Sequence, residues 1–107
     1  MLEMRFPSRG DVYEALEDMA VDYLTHWRAP FTGGGRGTLR KGDRVTVDHE
    51  PVDSMALSVY AAPVDQSVEA RMVPASDRSD PKYDGYSLVL RTADLNRRFR
   101  LIPEDEA

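Results

Sequence analysis

Hydrophobic and polar positions change their rhythm once along this chain. Spaced at about 100° per residue, positions 12–28 gather Met19, Val12, Tyr23, Leu16, Trp27, Ala20, Tyr13 and Leu24 into one unbroken apolar arc. Glu14, Glu17, Asp18, Asp22, Thr25 and Arg28 fill most of the remaining circumference, and Ala15 and Val21 are the apolar residues left outside the arc. Asp11 followed by Glu14 fits a capping box, and Pro30 disfavours helical geometry at Ala29. The spacing predicts an amphipathic helix over about residues 11–28. An arc this rich in large side chains has to cover an apolar surface.

Beyond Thr-Gly-Gly-Gly-Arg-Gly at 32–37, which reads as a flexible hinge, the period falls to two. Val45 and Val47 share one face of a first strand, and Met55, Leu57, Val59 and Ala61 one face of a second. Val68, Ala70 and Met72 alternate with Glu69 and Arg71. Tyr86, Leu88 and Leu90 alternate with Ser87, Val89 and Arg91, and Phe99 and Leu101 with Arg98, Arg100 and Ile102. The pattern predicts five short strands. Residues 74–84, rich in Pro, Ser and Asp, read as a mobile surface loop, and residues 92–96 as one helical turn before the last strand. The tail from 103 to 107 is too polar to pack.

Five short strands avoid exposed edges best by closing into a barrel. Lys41-Gly-Asp-Arg-Val-Thr-Val47, with a helical turn over about 92–97 before the final strand, resembles the opening strand and closing turn of SH3-like small β-barrel domains. The resemblance covers residues 38–102. The expected fold is therefore α+β: an N-terminal amphipathic helix packed on a five-stranded, SH3-like antiparallel barrel or, alternatively, on a curved sheet. In the barrel topology the first and last strands pair, which would set Arg44 on the same outer face as Arg98 and Arg100.

Composition narrows the class. The 107 residues suit one domain spanning 1–107, and 41% apolar with 31% charged residues favours folding over disorder. No cysteine is present, which excludes disulfides, thiol nucleophiles and Cys-ligated metals. Glu3 and Arg5 precede any apolar run, so no signal peptide is readable, and the apolar stretch 55–64 is too short to span a bilayer. A cytoplasmic protein with no membrane contact is expected.

Candidate chemistry is sparse. The glycine run follows a helical pattern and precedes a strand, the wrong order for a phosphate cradle, and no Lys-Ser or Lys-Thr follows it. Asp22 and His26, four apart, could share a metal on a helix but lack a third ligand, so neither metal nor cofactor is expected. His49 between Asp48 and Glu50 could act as a base in a turn. No serine sits in a Gly-x-Ser-x-Gly elbow. Charge is the more informative signal. The net charge of −5 hides two basic blocks, one carrying Arg36, Arg40, Lys41 and Arg44, the other Arg91, Arg97, Arg98 and Arg100. Arg40, Arg44, Arg98 and Arg100 are the candidate binding residues, because guanidinium groups hold carboxylates and phosphates by paired hydrogen bonds. Tyr60, Tyr83 and Phe31 are candidate recognition aromatics. The expected function is a non-catalytic protein-binding or accessory module that presents the arginine face and the 74–84 loop to a protein partner. The alternatives are a nucleic-acid-binding barrel using the same arginines, and a small enzyme with a His49 or carboxylate base.

Overall fold

The computed structural model describes residues 7–27, 33–49 and 57–106. Among them the chain forms β1 (Val12–Ala15), β2 (Met19–Trp27), β3 (Gly33–Leu39), β4 (Arg44–His49), β5 (Ser58–Pro63), α1 (Ser67–Met72), α2 (Ala75–Arg78), β6 (Tyr83–Arg91), α3 (Thr92–Arg97), β7 (Phe99–Ile102) and a closing 3₁₀ turn at Glu104–Glu106. The strands make one antiparallel sheet in the order β3-β2-β6-β5-β4-β1-β7.

The N-terminal helix expected over 11–28 is two strands, and the reason is a degeneracy of spacing. Residues four apart share a face both on a helix and on a strand, so Met19 and Tyr23 satisfy either period. The residues two apart decide. Val21 and Ala15, the two exceptions to the helical arc, are 7% and 1% exposed, and Thr25, assigned to the polar side, is 1% exposed. Leu16, inside the arc, is 45% exposed. Met19, Val21, Tyr23 and Thr25 thus form the buried face of β2. The predicted helix end at Arg28 and Pro30 lies outside the described residues, as do Phe31 and Met55.

The hinge at 32–37 is also a strand over its described part. β3 pairs with β2 residue by residue, from Met19↔Leu39 to Thr25↔Gly33. Glycine is required here for space. A Cβ on Gly35 would stand 2.6 Å from the Tyr23 hydroxyl, and one on Gly37 would collide with the Met72 sulfur. The missing side chains let Tyr23 lie across β3 and let α1 settle on it.

A five-stranded barrel is contradicted as well. β1 inserts between β4 and β7, so the strands expected to pair are separated, and among the described residues the sheet ends at β3 and β7. The strands concealed in residues 12–39 widen the sheet instead of plugging a barrel. The segment 68–72, read as a strand, is helix α1. Val68 and Met72, again four apart, are buried, while Ala70 is exposed as a strand face would not allow. Asp65 starts the helix by accepting the Ser67 N–H at 2.9 Å, and that bond holds its carboxyl below the usual carboxylate range. The 74–84 segment is not a featureless loop. It contains α2, tied down by Arg78 Nε donating to the Val73 carbonyl at 3.0 Å, and a turn in which Tyr83 N–H reaches Asp80.

One face of the sheet carries the core. A row of paired residues, Gly35–Tyr23–Leu88–Ala61–Val47, crosses five strands on that inner face. Val45, Leu39, Val59 and Leu90 fill the adjoining rows, and Val68, Met72 and Val73 with Leu95 of α3 cover them. Tyr13 and Phe99 meet edge to face at 6.5 Å beside β1 and β7.

Val21→Ala should cost about 1.5–3 kcal/mol of unfolding free energy, the burial worth of its side chain, whereas Leu16→Ala should cost under about 1 kcal/mol. Urea denaturation of the two variants measures the contrast, and a helix over 11–28 requires the opposite order.

Candidate functional site

Alternation that buries one side of the sheet delivers charge to the other. Glu14 of β1 lies opposite Arg44 of β4 and Arg100 of β7 in register. Its carboxylate takes Arg44 Nε at 3.3 Å on one oxygen and Arg100 Nη2 at 3.5 Å on the other. Arg100 reaches on to Glu106 at 3.4 Å. Arg98, at the end of α3, donates to Glu17. Arg40 stands apart in the turn before β4, where its N–H donates to Asp43 Oδ2 at 2.8 Å. Of the four candidate arginines, the structure brings Arg44 and Arg100 together through Glu14 and sets Arg98 and Arg40 elsewhere. The Glu14 side chain is only 24% exposed, so these two arginines serve chiefly as a latch across β4, β1 and β7.

A second arginine group surrounds a shallow cleft of about 260 Å³ at the junction of β2, β3, β6 and α3. Arg36, Arg91 and Arg98 rim it together with Asp22 and Asp94, and Ala20 and Val89 lie among them. Register explains the placement: Asp22 pairs with Arg36 on one side and with Val89 on the other, so the outer-face row runs across three strands. Arg36 meets Asp22 at 3.6 Å with both side chains over two-thirds exposed. Arg91 is exposed and makes no ion pair with any described residue. The alternation of β6 already placed Arg91 outward in the sequence. Arg36 was hidden by the glycines around it, which read as a hinge.

The other candidates fall in separate places. His26 and Asp22 share the outer face of β2, but four residues of extended chain separate their Cα atoms by about 13 Å, too far for one metal. A bulge between Thr25 and Trp27, opposite Gly85 with its φ of 109°, lets His26 Nε2 meet Ser87 Oγ at 2.9 Å. Among the described residues no further group bonds the imidazole, and no three His, Asp or Glu gather to hold a metal. His49 closes β4 opposite Tyr60, and its side chain lies outside what the structure describes. No described helix is long and apolar enough to cross a membrane.

Tyr23, Tyr83 and Tyr86 sit towards one end of the inner face, near Glu69 and Asp77. Burial, reinforced by the Glu69 carboxylate, pushes the Tyr83 hydroxyl up to about 12 and raises Tyr86 for the same reasons. Burial also raises Tyr23, with Asp77 adding to it. These hydroxyls ionise more readily in the unfolded chain. Their contribution to stability is complete below the ordinary tyrosine value near 10 and is lost as pH rises through about 12. The urea midpoint should fall over that window, and tyrosinate absorbance should appear at higher pH in the native protein than in the urea-unfolded chain.

No family model, curated protein or solved structure matches this chain.

Proposed function

We propose that this domain is a non-catalytic protein-binding module whose outer-face cleft receives acidic side chains of a protein partner. The observation that carries the reading is Arg91, exposed on the cleft rim and committed to no carboxylate among the described residues. Its neighbours can be recruited cheaply. The Arg36–Asp22 and Arg98–Glu17 pairs are solvent-exposed, and such pairs contribute about 0–1 kcal/mol, so a partner's carboxylate can replace them. The Glu14 latch differs, because its more sheltered carboxylate ties three strands together.

Asp22 and Asp94 interrupt the positive rim, and the chain carries a net charge of −5. Isolated carboxylates of a protein fit that mosaic better than the continuous phosphate charge of a nucleic acid, which asks for a basic stripe. The cleft offers directional donors from β3, from the end of β6 and from the end of α3, the arrangement of a recognition surface.

Affinity capture from cell extract tests the reading, with Arg91→Glu and Arg98→Glu combined as the control. A protein should be retained by the parent chain after nuclease treatment and lost with the double variant. Sub-micromolar binding of labelled DNA or RNA at about 0.15 M salt, where screening removes long-range attraction, overturns the proposal.

A further inference from the structure

The two edges of the sheet are unequal. β7 is four residues long, is followed by Pro103 and the 3₁₀ turn, and is tied to that turn by Arg100–Glu106. β3 runs seven residues, pairs with β2 throughout, and among the described residues no backbone group beyond β2 bonds to it. Proline and bulges, the common devices that blunt an edge, are missing from Gly33–Leu39, and one charge, Arg36, stands on it. We infer that β3 accepts an added β-strand from an extended segment of a protein partner, with a large apolar residue and an acidic residue two positions apart.

Main-chain hydrogen bonds to the free edge supply the affinity, and outward side chains supply the selection. Gly34, Arg36 and Thr38 alternate on the exposed outer side of β3. Opposite Gly34, Leu24 is only half-buried and leans to within 3.4 Å of where a Gly34 Cβ would stand. An apolar residue of the added strand beside Gly34 closes over Leu24, the way a large side chain compensates an edge glycine. Arg36 already has Asp22 on its β2 side. A carboxylate on the open side would bracket its guanidinium between two acids, the converse of Glu14 bracketed by Arg44 and Arg100. A second copy of this chain suits the edge poorly. Self-pairing centred on the strand sets Arg36 against Arg36 and Gly35 against Gly37, repelling where it needs contact and burying little apolar area. The inference concerns the edge; it shares Arg36 with the cleft but does not depend on Arg91, on which the cleft reading turns.

Synthetic heptapeptides provide the probe: blocked at both ends, threonine and valine throughout, with phenylalanine and glutamate two apart in either order. Amide hydrogen exchange and NMR shifts of the full chain provide the readout. The Gly33–Leu39 amides should shift and gain protection, and a peptide N-methylated at alternate backbone nitrogens should not bind. Arg36→Glu should weaken the glutamate peptide about fivefold and favour its lysine counterpart, as expected for reversing an exposed pair. Arg91→Glu should leave both affinities unchanged. Absence of binding up to about 1 mM, equal binding of the N-methylated peptide, shifts confined to other strands, or β3 protection that grows with protein concentration in the absence of peptide overturns the inference. The last of these would identify the occupant as a second copy.

Discussion

Seven antiparallel strands turn one apolar face towards the same side, and among the described residues helices of six, four and six residues cover it. Covering that face is the constraint on which the structure depends. A sheet face left to water would forgo about 25 cal/mol for each square ångström of apolar area. Short helices can shield it only by lying very close. The Met72 side chain of α1 therefore sits where a side chain at position 37 would be, and Tyr23 sits where one at position 35 would be. Glycine in β3 is disfavoured by strand propensity and by chain entropy. Here that local cost is offset by the close approach it allows, which leaves Val68 fully buried and Met72 and Val73 nearly so.

On the outer side, the charged residues stand at least partly in water. Glu14, Arg44 and Arg100 do so as a cross-strand triplet, and Arg36 with Asp22 as a looser pair. Exposure separates the two groups. A carboxylate held between two guanidinium groups in a sheltered position aligns strands. An ion pair standing mostly in solvent contributes little to the fold and is free to be exchanged for a partner's charge.

The strands β4, β6 and β7 were legible in the sequence from their alternation: Val45 with Val47, Leu88 with Leu90, and Phe99 with Leu101 stand on the inner face, and α3 falls where a helical turn was expected. The N-terminal part was illegible for a definite reason. Met19 and Tyr23, like Val68 and Met72, are spaced by four, and that interval fits both periods. One pair proved to be strand and the other helix. Val21 and Thr25 carried the deciding information, but a buried threonine looks polar and a lone valine looks like a tolerated exception. The candidate site was legible in part. Arg98 and the outward direction of Arg91 could be read from β6 and its sequel, while Arg36 could not, since a glycine run suggests flexibility unless one knows which side chain fills the space above it.

That last point links the core to the free edge. Strands at the margin of a sheet are commonly defended by bulky or charged side chains, by proline or by a covering element. β3 cannot carry inward side chains at positions 35 and 37, because Tyr23 and Met72 occupy their room. The packing that closes the inner face thus strips its edge strand of the residues that would ordinarily protect it. What remains is a length of extended backbone fixed in geometry by seven register pairs to β2, with Leu24 and Arg36 as its lateral contacts. A rigid edge of this kind has already lost the conformational entropy that an incoming strand would otherwise have to overcome on both sides, so the cost of ordering falls on the partner segment alone.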